Sequence, residues 1–287
     1  MVKRVDGKKN QYGRGIRKMI PKQECIDELK ELTSKKFVLL TQRGNASIQS
    51  ALKLAKGKGF DKLLVQDQGG WITYKQYAEK LKFSIHELKT DCGLVDKGEL
   101  RKYDKAVLLI NSLPAYAYYE NMETVSKICE QNKIFLINDS SGSIGSKETR
   151  YGDVVLGSFG KWKPVNAEEG GFIATDNEQD FHFLEKIGTI SRPLDFNKIL
   201  KHLKALPERR GFLDAVNKRL KKELKELEII HNDKEGINVV VKYNDAAEKE
   251  KIINYCHANN LPYTECPRYI RVLEKAICIE VKRLEMR

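Results

Sequence analysis

The sequence predicts an α/β fold: a mostly parallel sheet sandwiched by helices, followed by a small C-terminal α+β domain. Two patterns predict it. Short apolar runs of strand length alternate with helical stretches between Phe37 and Ile137, the rhythm of crossover connections between parallel strands. After a charged helical stretch from about Asp180 to Leu227, residues 236–287 read β-α-β-β.

Each element has its own signal. Pro21 opens a helix with Cys25, Ile26, Leu29 and Leu32 at helical spacing. Phe37–Leu40 is a short apolar strand that runs into Gln42-Arg43-Gly44-Asn45-Ala46 and a helix carrying Ile48, Ala51, Leu52 and Leu54. Such a junction points backbone N–H groups and a helix N-terminus at whatever lies above it. Leu63–Val65 reads as a strand, Ile72–Leu81 as a helix, Ala106–Ile110 as a strand ending at Asn111, and Met122–Asn132 as a helix. Ile134–Ile137, Val154–Leu156 and Phe172–Ala174 are three more strands, with so little helix between them that the order becomes less regular there. In the C-terminal part, Ile237–Val241, Tyr269–Val272 and Ala276–Val281 read as strands and Ala246–Asn259 as a helix.

The domain organisation follows: a basic N-terminal arm at 1–20, a large domain at 21–185, a helical connector at 186–230 and a small C-terminal domain at 231–287. Of 287 residues, 41% are apolar and 32% charged, the balance of a globular protein with a sizeable core. No run approaches the roughly 18 apolar residues of a membrane span, so no membrane partner is expected. The basic N-terminus has no apolar core of a secretory signal, and a cytoplasmic location is expected. The cysteines Cys25, Cys92, Cys129, Cys256, Cys266 and Cys278 are scattered with no CxxC spacing; reduced, structural thiols and no metal site are expected. The net charge of +12 raises a nucleic-acid partner. Much of the excess sits in Lys3, Arg4, Lys8, Lys9, Arg14, Arg17 and Lys18 and in Lys218, Arg219, Lys221 and Lys222. The second group also carries Glu223 and Glu226 and reads as a solvated helix face. Nucleic-acid binding through the arm is weighed and not favoured, because no recognition motif accompanies it.

The stretch from Ile134 to Thr175 carries the chemistry. Asp139 ends one apolar strand, Ser158-Phe159 ends another, Lys161 and Lys163 follow, and Gly170-Gly171 opens a third. In an α/β sheet ligands sit beyond the carboxyl ends of the strands, where Asp139, Ser158, Asn111 and the Gly44 turn all fall. An acid, a serine and a lysine at neighbouring strand ends suit pyridoxal 5'-phosphate (PLP): the acid faces the pyridine nitrogen, the hydroxyl binds phosphate and the lysine forms a Schiff base. Asp139 could instead cap the following turn, and both lysines could be surface residues.

The segment resembles the sugar-nucleotide aminotransferase (DegT-like) family of fold-type I PLP enzymes. That family shows an acid at a strand end, a small-residue stretch with Ile-Gly, then Gly-Asp, a strand ending Ser-Phe, a lysine five residues after the serine and a Gly-rich turn. Here Asp139, the stretch to Ile144-Gly145, Gly152-Asp153, Ser158-Phe159 and Glu169-Gly170-Gly171 take those places. Counting from Ser158 lands on Lys163 and not Lys161. Arg43–Ile48 resembles the family's phosphate turn, with Asn45 and Ala46 in the contact positions, and Trp71 in Gly-Gly-Trp-Ile-Thr-Tyr matches the aromatic that stacks on the pyridine ring. The resemblance implies the PLP-dependent transferase fold type I, Lys163 and Asp139 as catalytic residues, and cofactor contacts from Gly44, Asn45, Ala46, Trp71, Asp139, Ser158 and Lys163. It also implies a homodimer that transfers an amino group from a small donor to a keto-sugar or related keto compound. The chain departs from the pattern at Gly142, where the family has Gln or His near the cofactor's ring oxygen, at Asn45, where it has Thr, and in a short C-terminal domain without the family's His-containing loops.

Two rival readings are another PLP chemistry, a lyase or desulfurase, and a non-catalytic descendant that binds nucleic acid or protein through its arm. Arg268 and Arg271 are weighed as a fork for a substrate carboxylate against a solvated strand face, and the latter is expected. His86, His182, His202, His231 and His257 have no catalytic spacing.

Overall fold

The computed structural model describes residues 11–188 and 190–286, with side chains from Ile20 onward. The elements in chain order are α1 (Gln11–Thr33), β1 (Phe37–Thr41), α2 (Gly44–Gly57), β2 (Lys62–Gln66), α3 (Thr73–Lys80), β3 (Ser84–Leu88), β4 (Thr90–Asp91), β5 (Leu94–Val95), α4 (Lys97–Leu100), β6 (Val107–Asn111) and α5 (Met122–Gln131). They continue with β7 (Phe135–Asp139), β8 (Val154–Ser158), β9 (Gly171–Thr175), α6 (Glu178–Lys186), α7 (Phe196–Lys204), α8 (Leu206–Glu223), β10 (Val239–Lys242), α9 (Ala246–Ala258), β11 (Tyr263–Cys266) and β12 (Ala276–Ile279).

Among the described residues, seven strands form the main sheet in the order β1-β9-β8-β7-β6-β2-β3. β3, β2, β6, β7 and β8 pair in parallel, and β9 runs antiparallel to both β8 and β1. The less regular order expected after Ile137 is this inserted antiparallel strand. Helices cover both faces, as parallel strands buried on both sides require. Ile48, Leu52, Leu63, Val65, Val107, Ile137 and Leu156 pack on one face under α2. Val38, Leu40, Val155 and Phe172 meet Cys25, Leu29 and Ile199 of α1 and α7 on the other, and Leu64, Leu108 and Leu136 meet Val125 and Ile128 of α5. Each fully buried aliphatic side chain of this kind stabilises the fold by about 1.5–3 kcal/mol.

The fold class is as expected, two local readings are corrected, and one strand of the main sheet is added. The first helix begins at Gln11 and passes through Pro21, because a proline there forgoes one hydrogen bond without ending the helix. The expected arm at 1–20 is therefore helical from residue 11, and residues 1–10 lie outside the described ones. Tyr269–Val272 is a turn and not a strand. Pro267 has no N–H to donate, and the Arg268 N–H bonds the Val272 carbonyl at 2.8 Å. The third small-domain strand is Tyr263–Cys266, so the C-terminal sheet has the order β10-β12-β11. Finally, Ser84–Leu88 forms the outer strand β3; it is polar along most of its length, as an edge strand can be.

Candidate active site

The carboxyl ends of β1, β2, β6, β7 and β8 converge on a cavity of about 370 Å³, lined among others by Gly44, Asn45, Trp71, Tyr116, Asp139, Ser158, Lys163, Arg271, Lys282 and Arg283. Pairing across the sheet brings its parts together: Asn111 lies opposite Asp139, and both Thr41 and Ser158 lie opposite Gly171. A wider groove of about 500 Å³ opens at the other end of the strands beside Asp153, but that carboxylate already accepts the Leu136 N–H at 2.7 Å.

Asp139 is buried and held at both oxygens. Oδ1 accepts the Ser141 N–H at 2.9 Å, and Oδ2 accepts the Tyr74 hydroxyl at 2.6 Å. Tyr74 has no exposed surface, and burial together with the Asp139 charge pushes its hydroxyl pKa well above the ordinary value. It therefore stays a donor, and Asp139 stays an oriented acceptor.

Ser158 sits between glycines. A Cβ on Gly44 would lie 2.6 Å from the Ser158 Cβ, so only glycine at 44 lets the start of α2 approach the end of β8. The Gly160 N–H donates to Ser158 Oγ at 3.2 Å. A hydroxyl flanked by glycine backbone beside a helix N-terminus is a cradle for an anion. Asn45 Oδ1 accepts the Trp71 indole N–H at 3.0 Å and also lies 3.4 Å from Thr73 Oγ1. This bond fixes the indole at the cavity wall. Six of the seven expected cofactor contacts thus line one cavity. Ala46 does not: its N–H is spent on the Arg43 carbonyl at 2.9 Å, closing the first turn of α2, and its side chain faces the neighbouring groove.

The two candidate lysines separate. Lys161 is exposed, with Nζ 5.1 Å from the Trp162 ring. Lys163 points inward, bonded to the Tyr116 hydroxyl, with Nζ 4.0 Å from the Tyr116 ring centre and 5.6 Å from that of Trp71. Burial lowers its ammonium pKa to about 8; Arg271 pushes the same way and Asp139 opposes. A lysine near neutrality is one whose free amine is available as nucleophile or base.

Tyr116 was not foreseen. It ends a tight turn, with Ala115 and Tyr116 both left-handed (φ 57° and 61°). Its ring occupies the space that a side chain at 142 would need: a Cβ on Gly142 would lie 2.7 Å from Tyr116 Cδ1. The departure at Gly142 and the entry of Tyr116 are one structural fact. The Ile237 N–H and the Asn238 side-chain amide bond the Tyr116 and Ala115 carbonyls at 3.1 and 3.2 Å, tying this turn to the small domain.

The small domain closes the cavity with charge. Arg271 is buried at the cavity wall and not on a solvated strand face. Its fork holds Glu280, Nε to Oε1 at 2.7 Å and Nη2 to Oε2 at 3.1 Å. Glu280 has no exposed surface, and Lys282 and Arg283 each reach its Oε2 at 3.3 Å. Burial would raise the Glu280 carboxyl, but Lys282 and Arg271 outweigh it and hold it down at about 2. One carboxylate thus serves three cations, leaving positive charge facing the cavity. Lys282 has Nζ 4.4 Å from the Tyr116 ring centre, and burial lowers its pKa to about 7. Arg283 lies 4.3 Å over the Trp162 ring. Arg268 is exposed on the surface.

The donor set suits PLP. It combines a fixed carboxylate at one wall, an indole and a desolvated lysine across the cavity, and a glycine-flanked hydroxyl at a helix start. Comparison with known proteins agrees. Residues 98–192 match the DegT/DnrJ/EryC1/StrS aminotransferase family. The match contains Asp139, Ser158 and Lys163, and the resemblance read from the sequence is borne out there. The MJ1341 family C-terminal domain matches residues 212–287, the part that supplies Arg271, Glu280, Lys282 and Arg283. None of the curated proteins matches the sequence.

Among solved structures, the chain is similar to 3-amino-5-hydroxybenzoic acid (AHBA) synthase, with TM-score 0.73 and 13% identity over 91% of this chain and 85% of that one. It is also similar to Helicobacter pylori PseC, an aminotransferase involved in the biosynthesis of pseudoaminic acid, with TM-score 0.71 and 13% identity over 91% and 85%. A third is E coli GDP-4-keto-6-deoxy-D-mannose-3-dehydratase with bound hydrated PLP, with TM-score 0.74 and 12% identity over 98% and 95%. At these identities the likeness establishes the PLP-dependent transferase fold type I.

Proposed function

We propose that this chain is a PLP-dependent aminotransferase acting on a keto-sugar or related small keto compound, with Lys163 as the residue that carries the cofactor. One observation supports it most: the Lys163 amine is desolvated between Trp71 and Tyr116 in the cavity that also holds the doubly anchored Asp139 carboxylate. The match to an aminotransferase family over the segment bearing both residues supports the reaction class. Bound PLP supplies an electron sink for the substrate's Cα electrons.

The protein's own groups do the rest. Asp139 offers a charged acceptor to a protonated ring nitrogen. Ser158 and the Gly44–Asn45 start of α2 bind the phosphate. Trp71, held by Asn45, covers one ring face. The Lys163 amine, once free, carries the proton at the substrate Cα as base and then as acid, which its pKa near neutrality favours. Tyr116 keeps that amine in place. The excess cations Lys282 and Arg283 draw an anionic group of the substrate towards the same cavity.

We further propose a homodimer in the cytoplasm; the six unpaired cysteines fit a reducing compartment, and among the described residues no helix is long and apolar enough to cross a membrane. None of the cysteines lines the cavity, which favours amino transfer over a cysteine-based desulfurase.

The test is the visible absorbance of protein loaded with PLP. Wild type is expected to show a yellow band that borohydride removes. Lys163→Ala is expected to lose the band and at least about 10²–10⁴-fold in amino transfer, the usual worth of a positioned acid–base group, while Lys161→Ala keeps both. A band that survives in Lys163→Ala and vanishes in Lys161→Ala would move the role to Lys161. The absence of any band in wild type would overturn the enzyme reading.

A further inference from the structure

Away from the cavity, β4 and β5 form a tight hairpin whose two turn residues, Cys92 and Gly93, are both left-handed (φ 51° and 102°). The turn delivers Asp91 and Cys92 to His231, at the beginning of the small domain. Their ligand atoms, one from each residue, all lie within 4.8 Å of one another, and His231 Nε2 stands 3.7 Å from Asp91 Oδ1. We propose that Asp91, Cys92 and His231 bind a zinc ion that clips the 90–95 hairpin of the large domain to the small domain.

The chemistry of the donors selects the metal. A thiolate, an imidazole and a carboxylate are a soft and borderline set that suits Zn²⁺ and disfavours Mg²⁺ and Ca²⁺. With the imidazole neutral, the two anionic ligands balance a divalent cation. Bonds of about 2.3 Å to sulfur and about 2.0–2.2 Å to nitrogen and oxygen put tetrahedral ligands about 3.3–3.8 Å apart, and the 3.7 Å Nε2–Oδ1 separation is close to that spacing. Closure draws together ligand atoms that already lie within 4.8 Å of one another, and the Asp91 side chain, 79% exposed, is not packed in place. Three protein ligands leave the fourth position to water.

The supporting shell is in place. Tyr118 is buried beneath the cluster; its hydroxyl donates to the Cys92 carbonyl at 2.6 Å, and its ring meets the His231 ring edge-on at 4.6 Å. The same side chain therefore sets the turn and the imidazole plane, as partners behind metal ligands do. Gln66 Nε2 holds the Gly93 carbonyl at 2.6 Å, and the Ile230 N–H bonds the Val240 carbonyl at 3.0 Å. Both segments are thus anchored without the metal. His231 Nε2 lies 2.9 Å from the Asp91 carbonyl oxygen; metal binding takes the tautomer with its proton on Nδ1. No sequence motif announces the site, because Asp91-Cys92 and His231 are far apart in the chain and meet only through domain packing.

The test uses the full-length protein, titrated with Co²⁺ as a spectroscopic probe and with Zn²⁺ in competition. Wild type is expected to bind one equivalent with the visible bands of tetrahedral Co²⁺ and a thiolate charge-transfer band. Cys92→Ser should abolish the charge-transfer band, and His231→Ala should weaken binding at least tenfold. A second readout needs no spectrum: Cys92 is the one cysteine of the six that is not buried, so it should be the thiol that reacts with a disulfide reagent in the native protein. Stoichiometric Zn²⁺ should protect it. Asp91→Asn, at an exposed position that keeps the fold, should reduce that protection. No cobalt band and no protection in wild type would overturn the proposal, as would a band that persists in Cys92→Ser. Neither outcome bears on the PLP reading, whose residues lie elsewhere.

Discussion

The two walls of the cavity are built on opposite principles. The strand-end wall is made of backbone geometry and neutral hydrogen bonds around a single charge: Asp139 at the end of β7, Ser158 at the end of β8, Gly44 at the start of α2. The C-terminal wall is made almost wholly of charge: Arg271, Glu280, Lys282 and Arg283, three cations around one buried carboxylate. The first places a ligand by shape and direction. The second supplies an uncompensated positive field over it. The family matches divide the chain along the same line: residues 98–192 match an aminotransferase family, while residues 212–287 match a separate C-terminal domain. The strand-end wall thus falls largely within the aminotransferase match and the charged wall within the C-terminal domain match.

The largest effect is expected where the charged wall loses its only anion. Glu280→Gln leaves Arg271 and Arg283 charged beside a neutral amide and takes from Lys282 the anion that holds its proton, and breaking a buried pair by removing one partner costs about 3–5 kcal/mol. Chemical denaturation at neutral pH measures it. The sign with pH follows from the lowered carboxyl: the stabilisation is fully present above about 4.5 and is lost as pH falls towards about 2. A loss below about 1 kcal/mol would mean that water screens the wall as it does a surface pair, and the contrast between the two walls would collapse.

The same contrast explains what could be read in the sequence. Asp139, Ser158 and Gly44 lie at the ends of apolar runs, and the sheet forces such ends together, so one-dimensional pattern carries three-dimensional information; Lys163 was singled out from Lys161 by the family's spacing after Ser158. Trp71 and Asn45 came with them through their segments. Ala46 lies off the cavity because its backbone donor serves the helix's own first turn. Nothing local marks Lys282, which reaches the cavity, or Glu280 behind it; both are placed there by the packing of β12 against the turn carrying Tyr116. Tyr116 itself depends on two left-handed residues with ordinary side chains, a conformation that composition does not announce. Arg271 read as part of a solvated strand face because Tyr269–Val272 alternates like a strand; the turn there instead folds it back onto Glu280, nine residues on.

On the strand-end wall a smaller effect is expected. Tyr74→Phe removes the 2.6 Å hydrogen bond to Asp139 Oδ2, and a hydrogen bond to a charged group is worth about 1.5–3 kcal/mol. PLP affinity, measured by equilibrium dialysis, should fall about tenfold to a hundredfold, because the carboxylate is left with the Ser141 N–H alone to direct it. Unchanged affinity would show that the backbone donor suffices, and would sharpen the comparison by making this wall purely a matter of main chain.

The smallest effect lies where the walls meet, at Lys163. Its amine titrates at about 8, below the 10.5 of an unperturbed lysine, because burial outweighs the attraction of Asp139. Only the free amine attacks, so the rate of PLP uptake by the apoprotein should rise about tenfold per pH unit, equivalent to about 1.4 kcal/mol, and level off above about 8. Charges on both walls act on this value: Asp139 raises it, while on the C-terminal wall Arg271 lowers it and Glu280 raises it. Asp139→Asn should therefore move the plateau to lower pH, since a group favouring the ammonium is gone and the cations of the C-terminal wall remain. Stopped-flow uptake across pH 6–10 reads the shift directly. A plateau that stays in place in Asp139→Asn would mean that the C-terminal wall alone sets the lysine's charge, and that the strand-end carboxylate acts only on the cofactor.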